Sequence, residues 1–241
     1  MIPRTIISRL SINCAVSTFL LLVLLTQNNY SQSKQKNTDT PSEGLSCSWA
    51  FVGASPAKKG WTIFPIVKDT ALQSGDNLLV YFDPTTECYC YVFLHDSENK
   101  IHLLFPSSEK EFGSPLKKTE RYIIPQQGSG LELDESKGAE TFYFIVSASR
   151  LLNIEGAFIK THLPSPGKNK NYIQAFLSEL RSLSKDSFRS YASIAEIPPS
   201  IAGTFRGKDL KSSLNDIDFE RYAVEISGKQ IYIKKIVIQH R

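Results

Sequence analysis

From Leu45 onward, short hydrophobic runs alternate with turn-forming residues, and this pattern is typical of a β protein. The runs predict seven strands, over residues 46–52, 61–67, 77–82, 88–95, 100–105, 121–125 and 140–149. Near the C-terminus, residues 222–226 and 230–238 flank Ser227 and Gly228, and this arrangement predicts a closing hairpin.

The strand over 88–95 is the clearest of these elements because it is rich in aromatic and β-branched residues. Side chains alternate across a strand, so this strand has two different faces. One face carries two thiols and two aliphatic groups, from Cys88, Cys90, Val92 and Leu94. The other face carries three aromatic rings and an imidazole, from Tyr89, Tyr91, Phe93 and His95.

The polar residues 96–99 predict a four-residue loop between this strand and the next. Such a loop pairs His95 with Lys100 and Phe93 with His102. The returning strand then adds only apolar side chains to the cysteine face, namely Ile101, Leu103 and Phe105. We therefore predict deep burial of four side chains on that face: Val92, Leu94, Leu103 and Phe105.

A helical pattern appears over residues 172–183, where apolar side chains recur at helical spacing. The residues on this face are Ile173, Phe176, Leu177, Leu180 and Leu183. The expected fold is mainly β, a β-sandwich-like domain of about eight or more strands with one packed amphipathic helix.

The N-terminus has the layout of a secretory signal peptide. Arg4 and Arg9 precede an apolar run over 15–25, which is shorter than the roughly 20 residues that span a bilayer. The small-residue step over 31–33 predicts cleavage there, so we expect a signal peptide over 1–33 and a mature chain that starts near Lys34. An uncleaved membrane anchor is the alternative.

Residues 34–44 are polar and lack large apolar side chains, so they predict a flexible tether. Residues 45–241 form the β-sandwich-like domain, in which 150–241 supplies the helix and the closing strands.

The charge of the chain does not favour a nucleic-acid partner. The formal net charge is +4 over 241 residues, and removal of Arg4 and Arg9 lowers it to +2. No basic run is interleaved with aromatic residues, so we expect no nucleic acid among the partners.

The mature chain would retain three cysteines, Cys47, Cys88 and Cys90. An exported protein favours oxidation, and a possible disulfide joins Cys47 to Cys88 or Cys90. A zinc site built from Cys88, Cys90, His95 and His102 is not expected, because the predicted register puts the thiols and the imidazoles on opposite faces of the sheet. No metal and no cofactor is predicted.

No catalytic motif is present: the chain lacks G-x-S-x-G, H-E-x-x-H and a phosphate-binding P-loop. The candidate contact surface is therefore an aromatic strip on the central hairpin, formed by Tyr89, Tyr91, Phe93 and His102. The alternative is that the helix over 172–183 covers this strip.

Five segments in order resemble the bacterial domain of unknown function 4384. They are the G-D-x-L motif within 72–78, the aromatic strand 89–93, the turn and L-F-P motif over 96–106, the Ile-Pro step at 124–125, and 138–147. The resemblance covers roughly residues 75–149, within a family-like core over 72–149. It implies a small β-sandwich found on exported envelope proteins and beside signalling or protease modules. It carries no established catalytic residues.

These features together favour an exported, non-enzymatic binding or interaction domain of the bacterial cell envelope, in the periplasm or outside the cell. Its partner would be a protein or another envelope component, and the membrane only if the N-terminal segment is retained. Two other readings stay open: a hydrolytic enzyme with a loop-built site, and a membrane-tethered accessory or sensory subunit.

Overall fold

The structure is a computed structural model, and it describes residues 44–58, 60–66, 70–125, 130–133, 138–164, 169–190, 203–205, 217–228 and 230–240. All of them belong to one compact unit, Glu43–Arg241. The predicted signal peptide and nearly all of the predicted tether lie outside the described residues.

The described residues form two sheets, two α-helices and short 3₁₀ turns. The strands are β1 (Leu45–Ala57), β2 (Gly60–Pro65), β3 (Ala71–Leu72), β4 (Asn77–Pro84), β5 (Tyr89–His95), β6 (Ile101–Phe105), β7 (Tyr122–Ile124), β8 (Leu131–Glu132), β9 (Gly138–Ser147), β10 (Gly203–Phe205), β11 (Val224–Gly228) and β12 (Ile231–His240). The helices are α1 (Leu152–Thr161) and α2 (Asn169–Ser190), and the 3₁₀ turns are Glu109–Glu111 and Phe219–Tyr222.

Seven strands form the first sheet and five form the second. The first sheet has the order β10-β2-β1-β4-β7, with β11 paired to the start of β1 and β8 paired to β4. The second has the order β3-β12-β9-β5-β6. The pairings between described strands are antiparallel except that of β3 with β12. β6 is therefore an edge strand of the second sheet.

The two sheets pack face to face around a core rich in aromatic residues. Trp49 of β1 stacks on Phe144 of β9 with ring centroids 4.6 Å apart, and Phe51 meets Phe142 at 5.1 Å. Aromatic pairs at these distances stabilise a core beyond the area that they bury. The expected mainly β, sandwich-like fold is confirmed.

Each sheet also has a covered outer face. On the second sheet, Phe93 packs against Phe158 of α1 and Phe176 of α2, at 5.2 and 5.1 Å between ring centroids. On the first sheet, Tyr81 stacks on Phe219 at 5.4 Å. Both faces of each sheet thus carry apolar side chains in contact with another layer, which explains why the strands read as nearly continuous hydrophobic runs.

The structure has two helices where the sequence predicted one. α2 contains the predicted helix and extends it at both ends, whereas α1 lies in a segment that was assigned no helix. In α1, Ile154, Phe158 and Thr161 recur at helical spacing and are buried, and the first two pack with side chains of the second sheet. Gly156 interrupts the helix-forming residues of this short segment, and glycine is a weak helix former.

The predicted closing hairpin is wrong, although both of its strands exist. β11 pairs with β1 in the first sheet, and β12 pairs with β9 in the second. The chain therefore passes from one sheet to the other between β11 and β12. Local sequence predicts strands and turns, but it does not distinguish a hairpin from a crossing between sheets.

Neither helix in the described part of the chain has the combination of length and hydrophobicity that crossing a membrane requires.

Candidate functional site

The structure divides the predicted aromatic strip between the interior and the surface. Tyr91 and Phe93 are 1% and 0% exposed, because α1 and α2 cover them. Tyr89 is half-buried at the edge of the same cluster, and His102 is exposed. The four residues therefore do not form a continuous contact surface. Tyr91 and Phe93 are instead covered by helices, which is the alternative that the sequence analysis allowed.

The turn of the hairpin explains why His102 departs from the strip. Asn99 adopts a left-handed backbone with φ of 62°, and the Asn99 N–H donates to the carbonyl of Asp96 at 3.1 Å. A turn followed by a left-handed residue moves the returning strand by one position. His95 consequently pairs with Ile101, and Leu94 pairs with His102. The predicted register was wrong by one residue.

A second irregularity restores part of the predicted pattern. A bulge lies between Val92 and Phe93, so that Val92 pairs with Phe105 while Phe93 pairs with Leu103. Val92, Leu94 and Phe105 are buried between the sheets as predicted. Leu103 is only half-buried and packs on the helix side, contrary to the prediction.

The three cysteines of the described residues are free thiols, so the predicted disulfide of Cys47 with Cys88 or Cys90 is not formed. All three are buried in the core between the sheets. Burial raises the pKa of the Cys88 thiol to about 12, and it also raises the pKa of Cys47 and Cys90. A thiol with so high a pKa is protonated at neutral pH and is a poor nucleophile and metal ligand.

A polar network is buried beneath the start of α1. Tyr91 Oη donates to Glu155 Oε1 at 2.8 Å, and Arg150 Nη2 donates to Glu155 Oε2 at 2.6 Å. The Leu151 N–H donates to Tyr91 Oη at 3.2 Å. Burial raises the pKa of Tyr91, so its hydroxyl remains a donor at neutral pH. Because each group has partners on the other element, the network secures the start of α1 to the second sheet.

A groove of about 470 Å³ runs along the edge strand β6, beside the C-terminal end of α1. We call it the β6–α1 groove. Leu103 and Phe158 supply its apolar lining. Its polar lining comes from His102, Ser107, Ser108, Glu109, Lys110 and His162. Six of its eight lining residues are therefore polar or charged, and Leu103 and Phe158 form a small apolar part of a mainly polar surface.

The two imidazoles of the groove are held by different partners. His102 Nε2 lies 2.6 Å from Asp96 Oδ2, so its ring is oriented by a carboxylate. His162 Nδ1 lies 2.9 Å from Thr161 Oγ1, whose own hydrogen goes to the carbonyl of Phe158. Because that hydrogen goes to the carbonyl, Nδ1 of His162 is the donor in this pair, and Nε2 is an acceptor in the neutral imidazole.

His102 was predicted from the sequence as part of the aromatic strip but on the wrong face, and His162 was not identified as a candidate. The spacing of Ile154, Phe158 and Thr161 was the signal that could have located α1 and, with it, His162. Within the described residues, no group of three or more His, Cys, Asp or Glu side chains is arranged to hold a metal ion.

Residues 71–150 match the family model described as "Domain of unknown function (DUF4384)", which confirms the resemblance inferred from the sequence. The match covers a third of the 241 residues and contains β3 to β9, with strands from both sheets. A search of curated proteins and a search of solved structures each found no match. The matched region contributes β6 and the following turn to the groove, whereas Phe158 and His162 lie beyond it.

Proposed function

We propose that the protein is an exported, non-enzymatic binding domain of the bacterial cell envelope, and that it holds its partner in the β6–α1 groove. The observation that carries the proposal is the groove itself, in which Leu103 and Phe158 lie among polar and charged side chains. Such a composition suits a protein or another envelope component with both apolar and polar groups. We expect no nucleic acid among the partners.

Two features of the described chain favour binding over catalysis. The buried thiols are protonated at neutral pH, since burial raises the pKa of all three cysteines. The buried carboxylate of Glu155 is held by Tyr91 and Arg150 and has a structural role. The groups most often used as activated nucleophiles or perturbed acids are therefore occupied with packing.

Export is supported by the basic, apolar and small-residue order of residues 1–33. The periplasm or the cell exterior is the compartment that this order implies.

Site-specific photo-crosslinking in cells tests the groove. A photoreactive residue replaces Lys110, an exposed residue that lines the groove, or Glu225, a residue on β11 of the other sheet that is also exposed. We expect a discrete adduct in the envelope fraction from position 110 and none from position 225. Equal adducts, or none at either position, would contradict the proposed surface.

The enzyme alternative has its own test on the purified full chain. A hydrolytic activity that the substitution His162→Ala abolishes would replace the binding proposal, because the lone pair on Nε2 of His162 would then act as a base.

Intact-mass analysis of the exported protein tests the compartment. We expect a mature chain that starts near Lys34. A chain in the membrane fraction that retains residues 1–33 would instead support a membrane-tethered accessory or sensory subunit.

A further inference from the structure

Helix α1 carries apolar side chains on the face turned away from the sheet. Leu152, Ile159 and Leu163 are 64%, 40% and 48% exposed. With Gly156, they follow one another at intervals of four and three residues, so they lie along one line of the helix and its C-terminal turn. We call these four residues the α1 stripe.

Such a stripe is unusual on a surface helix, whose exposed face is ordinarily polar. The described chain has four large hydrophobic residues with high exposure, and three of them belong to this segment. Apolar residues concentrated in one patch are typical of a protein contact, whereas single exposed ones are common on any surface.

Gly156 lies in the middle of the stripe and leaves it open. Apart from its two chain neighbours and the backbone of the helix itself, no atom lies within 4 Å of the position that a Cβ would occupy there. A second backbone can therefore approach closely at this point, with the apolar side chains of the stripe on either side.

We propose that the α1 stripe binds a second copy of this chain, with the two α1 helices antiparallel and related by a two-fold axis near Gly156. This proposal is independent of the proposed function. A two-fold contact uses the same patch on both copies, so the patch must be complementary to itself.

The two ends of the stripe differ in their surroundings. At the N-terminal end, Leu152 borders a cleft of about 370 Å³ between α1 and α2, which Arg150, Glu179, Ser182 and Leu183 also line. At the C-terminal end, Ile159 and Leu163 are exposed apolar side chains. Antiparallel packing would place these apolar side chains of each copy over the cleft of the other.

The two ends are complementary in charge. A two-fold axis at Gly156 brings Lys160 of one copy level with Leu152 of the second, beside the Glu179 carboxylate that lines the same cleft. Arg150 lines this cleft as well, but its guanidinium is paired with Glu155, so Glu179 is the carboxylate left for Lys160. Lys160 and Glu179 are both exposed, and neither forms an ion pair with another described residue. Antiparallel helices also bring the positive N-terminal end of each α1 near the negative C-terminal end of its neighbour.

The expected dimer is weak. A contact along one short helix buries less area than the roughly 1,600 Å² of a standard stable interface. We therefore expect a dissociation constant in the micromolar range or above. The β6–α1 groove remains open in the dimer, because Phe158 and His162 line a different side of α1 from the stripe.

Sedimentation velocity of the purified exported chain, from about 5 μM to about 1 mM, measures this association. We expect the average mass to rise with concentration and to level off at that of a dimer. A monomer throughout the range, or a mass that rises past the dimer, overturns the proposal.

The substitution Gly156→Glu separates loss of contact from loss of fold. Space around Gly156 is open and glutamate is the better helix former, so the monomer keeps its fold while two like charges meet at the axis. We expect the dissociation constant of the dimer to rise at least about ten-fold. Gln174→Glu, at an exposed position of α2, is the matched control and leaves association unchanged. A dimer that tolerates Gly156→Glu does not use the stripe.

A charge exchange tests the direction of packing. Lys160→Glu and Glu179→Lys should each raise the dissociation constant of the dimer about two- to five-fold, as expected for an exposed ion pair. The double variant should restore the original dissociation constant. Additive losses in the double variant would overturn the antiparallel arrangement.

Discussion

Tyr91 and Glu155 are 64 positions apart in the chain, yet they share a buried hydrogen bond of 2.8 Å between the phenol and the carboxylate. Tyr91 belongs to the central strand hairpin and Glu155 to α1. The contact therefore joins the family-like core to the helical layer that follows it, and that layer contributes Phe158 and His162 to the β6–α1 groove.

The substitution Tyr91→Phe should destabilise the protein by about 2 kcal/mol, because it removes a buried hydrogen bond to the Glu155 carboxylate and the acceptor of the Leu151 N–H, although Arg150 still binds Glu155. Urea denaturation followed by circular dichroism measures the change. Tyr122→Phe is the matched control, since Tyr122 Oη donates to Glu120 at the same 2.8 Å in an exposed position. The control should change stability by less than about 0.5 kcal/mol. Equal losses would show that burial does not determine the strength of the bond.

Phe93→Ala and Leu103→Ala should differ in cost, although these residues are neighbours in the hairpin. Phe93 is fully buried against α1 and α2, so its truncation should cost about 3–5 kcal/mol. Leu103 is half-buried and lines the groove, so its truncation should cost about 1 kcal/mol. The midpoints of urea unfolding compare the two. A larger loss for Leu103 would contradict the observed register and favour the four-residue loop.

The three buried thiols should resist alkylation in the native protein. Burial raises the pKa of Cys88 to about 12, so this thiol is protonated at pH 8. The side chain is also buried, so iodoacetamide cannot reach the sulfur in the folded protein. We expect no adduct on Cys47, Cys88 or Cys90 by mass spectrometry before unfolding, and an adduct on each of the three after unfolding without reductant. A single adduct after unfolding would reveal a disulfide and contradict the free thiols of the structure.

Asp96 should make the stability of the hairpin depend on pH. Burial disfavours its ionised form, but hydrogen bonds from the Lys100 N–H at 2.7 Å and from His102 outweigh burial and lower the pKa of Asp96. A lowered folded pKa stabilises the protein fully above the ordinary aspartate pKa of about 4, and this contribution is lost as pH falls through the folded value.

Asp96→Asn should therefore cost about 1 kcal/mol at pH 6 and remove part of the loss of stability on acidification. Urea titrations between pH 2.5 and pH 6 provide the comparison, with Glu98→Gln as the control because Glu98 is exposed in the same turn. Parallel curves for wild type and Asp96→Asn would show that Asp96 does not carry this dependence.

The sequence by itself determined the fold class and most strands of this protein. Strands β1, β4, β5 and β9 bury apolar side chains in contact with other layers, so their hydrophobic runs are continuous and their turns are marked by Gly, Asp and Asn. The helix α2 was predictable for the same reason, since Ile173, Phe176 and Leu180 pack on one side. These properties depend on which side chains are buried, and the pattern of hydrophobic residues along the sequence shows this directly.

Only the tertiary structure decided which side chains of the two hairpin strands share a face, and which strands pair. A left-handed Asn99 and the bulge at Val92 each move the register by one residue, and a shift of one residue exchanges the two faces of a strand. The partners of β11 and β12 lie in different sheets because long-range packing, rather than the turn between them, selects their pairing. The groove depends on both outcomes, since it needs His102 at the sheet edge and α1 docked beside it.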